Sequence, residues 1–264
     1  MVPVTNRIDL LGVPIDNVSM DEAIDSIVDL ARTRRGAYVV TPNVDHLVKL
    51  QHDKAFREVY DQADLVLADG MPLIWASRLL RTPLKEKVSG SDLFVRFAER
   101  AAREGLRLYF LGGREGAAEK AAEVLTGRFP GLRVVGTYCP YFGFQDDPKE
   151  NARIAATVHD ADPHVLFVGL GAPKQELWIH RNREALNVPV SIGVGVSFEF
   201  VAGMVKRAPR PLQKVGLEWG WRLAMEPRRL WKRYLVDDRP FFTLLWRQYV
   251  TKHRERLRAR RRRR

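Results

Sequence analysis

The chain has 264 residues, 45% hydrophobic and 29% charged, with 19 Gly and 15 Pro; that balance excludes a disordered or fibrous chain and suffices for a sizeable core in one large domain or two small ones. A single cysteine, Cys139, excludes a disulfide scaffold or a cysteine zinc site and fits a reducing compartment. The net +12 sits at one end, since residues 204–264 hold twenty Lys/Arg against five Asp/Glu (+15) and leave 24 basic and 27 acidic residues (−3) elsewhere, which points to nucleic acid, anionic lipid or a phosphorylated ligand as partner.

Residues 1–11 carry Arg7 and Asp9 and no apolar stretch, so no signal peptide is expected. Ser19 and Glu22 are spaced as a capping box opening an amphipathic helix over 20–32. Strands and helices then alternate. Apolar runs predict strands at 37–41, 65–68, 107–111, 133–137, 164–168 and 189–194. Between them, amphipathic stretches predict helices at 55–63, 93–104 (with Ser91 as N-cap), 117–129, 149–159 and 175–184. This order predicts an α/β, Rossmann-like fold, a mainly parallel sheet with helices on both faces, over residues 1–203. A helical basic appendage follows at 204–250, where Trp219, Trp221 and Trp231 lie among Arg222, Arg228, Arg229 and Arg233, and then an arginine-rich tail at 251–264 expected to be disordered. The longest apolar runs, 165–168 and 241–246, fall far short of the about 20 residues a membrane-spanning helix needs. Trp and Arg together instead suit a peripheral anchor on an anionic membrane surface.

Ligands of such sheets bind at the carboxyl edge, and five polar or glycine-rich strand exits there would outline one cleft. Gly112-Gly113-x-x-Gly116 after a strand and before a helix is either a cradle for a pyrophosphate or a pair of tight turns that need glycine. No acid follows about 20 residues later at a strand end, which favours a nucleotide diphosphate over a dinucleotide. Asp69, between an apolar strand and Gly70, is either a general base whose pKa desolvation raises or a cap of the helix starting near Met71. Thr41 and Asn43 suit sugar hydroxyls or an acetamido group, with a turn or cap role as the alternative. Gly171-Ala172-Pro173-Lys174-Gln175-Glu176 offers Lys174 to a phosphate and Gln175 to a ligand, or is a well-capped helix start. Asp160-Ala161-Asp162 could hold a cation but precedes a strand, at the wrong end for the cleft, and reads as a turn. The six histidines show no metal spacing, so neither metal nor cofactor is expected, and cationic side chains must offset a departing diphosphate. Two other classes fit less of the chain. A nucleic-acid-binding protein would explain the tail but not the strand exits, and a nucleotide-dependent dehydrogenase lacks its full glycine fingerprint.

Thr41-Pro42-Asn43, Ala68-Asp69-Gly70, Ser89-Gly90-Ser91-Asp92-Leu93, Phe110-Leu111-Gly112-Gly113, Val168 through Glu176 and Gly193-Val194-Gly195 occur in order, followed by Ala208-Pro209, Leu217-Glu218-Trp219 and Glu226-Pro227. Over roughly residues 12–234 this set resembles the WecG/TagA/CpsF glycosyltransferases. The resemblance implies an inverting, metal-independent transfer of a sugar (N-acetylmannosamine type, its uronic acid, or glucose) from a UDP donor to an undecaprenyl diphosphate-linked sugar. It also implies a cytoplasmic protein held peripherally on the inner face of the membrane, with no nucleic acid partner. A cleft edge left open without the appendage would favour self-association into a homo-oligomer. The family's catalytic aspartate falls on Asp69, its cleft threonine on Thr41 and its cleft glutamine on Gln175; its C-terminal appendage, which folds over the cleft and brings arginines to the diphosphate, matches residues 209–234, where Arg222, Arg229 and Arg233 are the candidates. Ser89 stands where many members have threonine.

Overall fold

The computed structural model describes residues 6–33 and 36–262, and for residues 210, 214, 229 and 258–262 the backbone alone. An antiparallel hairpin opens the chain, β1 (Arg7–Leu10) and β2 (Val13–Asp16). Helix α1 (Met20–Thr33) begins with the expected capping box: the Ser19 N–H donates to Glu22 Oε2 at 2.8 Å and the Glu22 N–H donates to Ser19 Oγ at 3.3 Å. The alternating part runs β3 (Ala37–Val40), α2 (Val44–Lys49), α3 (Lys54–Asp61), β4 (Leu65–Val66), α4 (Met71–Leu79), α5 (Gly90–Glu104), β5 (Arg107–Gly112), α6 (Ala117–Arg128) and β6 (Arg133–Tyr138). It continues through α7 (Pro148–Ala161), β7 (Val165–Gly169), α8 (Lys174–Leu186), β8 (Val190–Gly193) and α9 (Ser197–Val201).

Six strands form one parallel sheet in the order β4-β3-β8-β7-β5-β6, so the expected Rossmann-like α/β architecture is present. The strands are apolar on both faces because helices cover both. Alternate residues part to opposite sides: Tyr38, Val40, Tyr109, Leu111, Leu166 and Val168 join one apolar layer, and Val39, Phe110 and Phe167 the other. The first layer holds the hairpin, α2, α3, α4, α7 and α8, and the second holds α1, α5, α6 and α9.

Beyond residue 203 come α10 (Arg210–Lys214), α11 (Glu218–Met225), α12 (Pro227–Lys232), a π-helical turn (Arg233–Asp237) and α13 (Pro240–Arg262). Two boundaries differ from the sequence expectation. The N-cap of α5 is Ser89, whose side chain accepts from the Asp92 N–H, and Ser91 instead bonds Ser197 Oγ at 3.1 Å. The stretch expected as a disordered tail from 251 continues α13 to Arg262. Tertiary anchors hold that helix: Gln248 Oε1 accepts the Leu11 N–H at 3.0 Å, and Arg256 donates to the Leu80 carbonyl at the end of α4 at 2.9 Å. No helix among the described residues is long and apolar enough to cross a membrane.

Candidate active site

A cavity of about 1760 Å³ opens over the carboxyl ends of β4, β3, β8 and β7, and residues of the appendage line its other side. A pocket for one small ligand measures about 300–1,000 Å³, so this space is of a size for two substrates at once. Each neighbouring strand exit contributes: Asp69 from β4, Thr41 from β3, Gly195 from β8, and after β7 Gly171 from the turn and Gln175 from the start of α8. Arg222, Arg233 and Phe241 face them from the appendage.

Asp69 does not cap α4. The N-cap there is Gly70, with φ 119° and no side-chain cap bond, a conformation that suits glycine. The Asp69 carboxylate instead accepts the Gly90 N–H at 3.3 Å, from the start of α5. Burial raises its pKa to about 6, with Glu218 and Asp92 pushing the same way and Lys87 opposing them. A carboxylate so poised is ionised at neutral pH and basic enough to take a hydroxyl proton.

Around it lies a charged network that no single stretch of sequence announces. Arg207 donates to Asp92 at 2.6 Å and to Glu218 at 3.2 Å, tying the appendage to the first turn of α5, and Lys87 approaches Asp92 at 3.6 Å. All four line the cavity except Asp92, which Arg207 and Ser89 hold well below the usual carboxylate range. Arg207→Ala should therefore lower stability by about 2 kcal/mol, read by urea unfolding. In the same variant the two released carboxylates should move the ionisation of Asp69 to higher pH.

Thr41 is buried, its hydroxyl 3.5 Å from the Gly193 carbonyl at the neighbouring strand exit. Asn43 caps α2, accepting the His46 N–H at 3.4 Å, and it also accepts from Arg233 at 3.4 Å, so the cap and the cavity roles coincide in one side chain. Arg233 pairs with Asp45 at 3.2 Å, and Lys49 holds the same carboxylate at 2.8 Å. Asp238, buried nearby with its pKa raised to about 6 by that burial, and buried His46, with its pKa lowered to about 3, complete this end of the cavity.

Gly112, Gly113 and Lys174 fall outside the cavity. The Gly113 N–H bonds the Gly169 carbonyl at 2.7 Å, and a Cβ on Gly112 would stand 2.8 Å from that oxygen. The next N–H of that turn, Arg114, bonds the buried carboxylate of Glu199 at 3.2 Å. Close packing thus gives Gly112 a structural reason, and the Arg114 N–H is already bonded to a side chain of the protein. Lys174 is exposed and points onto the Phe142 ring, 4.4 Å from its centroid, away from the lining. Arg229 lies on α12 with its side chain outside the described residues. Asp162 ends α7 and pairs with Arg107, as a turn residue should. Among the described residues no group of three or more His, Cys, Asp or Glu is placed to hold a metal.

A two-sided apolar parallel sheet with a roofed cavity at its carboxyl edge, lined by acidic and basic side chains alike and holding the poised carboxylate of Asp69, is a Rossmann-like arrangement with a place for acid–base chemistry. The model of the Glycosyl transferase WecG/TagA/CpsF family matches residues 8–255, so the chain belongs to that family and is a glycosyltransferase. It is 30% identical over 228 residues to an N-acetylglucosaminyldiphosphoundecaprenol N-acetyl-beta-D-mannosaminyltransferase of Bacillus spizizenii, covering 84% of this chain and 86% of that one. It is 29% identical over 231 residues to the enzyme of the same name from Staphylococcus aureus strain MW2, covering 87% of each.

Proposed function

We propose that the chain transfers an N-acetylmannosamine-type sugar from a UDP donor to a sugar carried on undecaprenyl diphosphate, with inversion and without a metal. The observation that carries this is Asp69, a carboxylate with its pKa raised to about 6 in a cavity of two-substrate size faced by arginines. The names of the related enzymes support the acceptor. Asp69 takes the proton of the acceptor hydroxyl as that oxygen bonds the anomeric carbon. The bond from that carbon to the UDP oxygen breaks on the opposite face. The departing diphosphate gains negative charge, which Arg222, Arg233 and Lys87 offset. Exposed Trp75, Trp231, Phe242 and Trp246 support seating of the appendage side on the membrane that carries the acceptor.

The test is release of UDP across a panel of UDP-sugars with lipid-linked acceptors, with and without a chelator. Turnover with an N-acetylmannosamine donor in both conditions is expected, and loss of turnover with the chelator would overturn the metal-free step. Because the base must be ionised, kcat/KM should fall below about pH 6, tenfold per pH unit, and level off above it. A flat profile from pH 5 to 8 would count against Asp69.

A further inference from the structure

Gln175 reaches the cavity from the first turn of α8, and its amide is held on two sides. Its Oε1 accepts the Gly195 N–H at 3.0 Å, and its Nε2 donates to Glu176 Oε1 at 2.8 Å. The amide also fills the space in front of Gly193, where a Cβ would stand 2.8 Å from Nε2. A backbone donor on one side and a carboxylate acceptor on the other leave only one orientation, oxygen toward Gly195 and nitrogen toward Glu176. One N–H of Nε2 then remains for a ligand.

Glu176 is a poor residue for stability alone. It is 1% exposed, next to the core residues Trp178 and Ile179, and its second oxygen, Oε2, is buried with no hydrogen-bond partner among the described residues. Burial raises its pKa to about 7, the mark of a costly ion. An apolar side chain would suit this layer better, yet it could not hold the amide.

The geometry points to Glu176 as a positioning residue that fixes the Gln175 amide so that its free N–H is presented to the sugar or diphosphate in the cavity. The inference rests on the sugar-transfer reading for its kinetic test, but the contact itself can be measured without turnover. Glu176→Leu should lower kcat at least about tenfold while leaving the melting temperature equal or higher. In a Gln175→Ala background the same change should cost nothing further. Glu176→Gln, which keeps an acceptor at the right reach, should restore most of the activity. Glu176→Asp, which keeps the charge but is one methylene short, should not. In nitrogen-resolved NMR, the Gln175 side-chain amide signals should move and exchange faster with water in the Leu and Asp variants, and stay near their native positions in the Gln variant.

An equal loss from Glu176→Leu with and without Gln175 would overturn the proposal, as would unchanged kcat or unmoved amide signals. Should the Leu variant not fold, the contrast between the Gln and Asp variants decides the matter alone. If the native enzyme transfers no sugar to a lipid-linked acceptor, the function reading fails, whereas the amide signals still test the Glu176 contact.

Discussion

Asp69→Asn should lower kcat by about 10²–10⁴-fold, the range removed with a positioned general base, and should leave the fold and donor binding intact. The amide is isosteric and can still accept the Gly90 N–H through its oxygen, so the start of α5 stays in place. The same substitution should stabilise the protein. In the native state the Asp69 pKa lies at about 6, above its ordinary value of 3.8, so the folded protein holds a proton there that the unfolded chain has lost. Ionising it in the fold therefore costs stability as pH rises from about 4 through 6, on the order of 2–3 kcal/mol above that window, and below about pH 4 the cost is absent. The variant should thus melt higher than the native protein at pH 7.5 and at the same temperature near pH 4. Thermal unfolding at both pH values checks the sign, and UDP release checks the rate.

Arg233→Ala should lower kcat by about 10²–10³-fold, the loss expected when a donor aimed at developing negative charge is removed. It should also destabilise the protein, because Arg233 joins the π-helical turn of the appendage to Asp45 and Asn43 on the core. Asp45 and Asp238 would then repel each other with Lys49 left to offset them. Arg233→Lys separates the two roles. It keeps a charge for Asp45 and hence most of the stability, but a point charge lacks the planar fork that grips a diphosphate. Its rate should remain at least about tenfold low, with a melting temperature near native. Recovery of the full rate with lysine would mean that Arg233 serves only to fasten the appendage.

Every large element of the sheet was legible in the sequence because buried parallel strands are continuous apolar runs between amphipathic helices. The hairpin was not, since its strands are only four residues long and one contains Pro14. Helix α2 was hidden because its six residues follow directly on a strand exit. Residues 251–262 look like a solvated charge run, and only contacts far away in the chain, Gln248 with the hairpin turn and Arg256 with Leu80, reveal why a helix persists there.

At the site, Asp69 stood out because an apolar strand and a following glycine set it at a cleft mouth. Arg207, Asp92, Glu218 and Lys87 did not, because they come from separate segments that meet only in the fold, although Asp92 and Glu218 lie inside motifs of the resemblance. Gly112 and Gly113 show the converse, since they lie outside the cavity lining at a close approach of two strand ends. A glycine demanded by a 2.7 Å approach between strand ends looks the same in sequence as one that admits a phosphate.

The walls of the cavity are drawn from residues as early as Thr41 and as late as Leu245, whereas the eight strands of the described residues are complete by Gly193. During synthesis the sheet can therefore assemble on the ribosome well before the reaction chamber exists. A nascent chain would pass through a stage with a finished scaffold and an unroofed, chemically idle trough, its arginines still in the exit tunnel or not yet translated. The cavity is complete only once residues of α10 to α13 have joined the sheet.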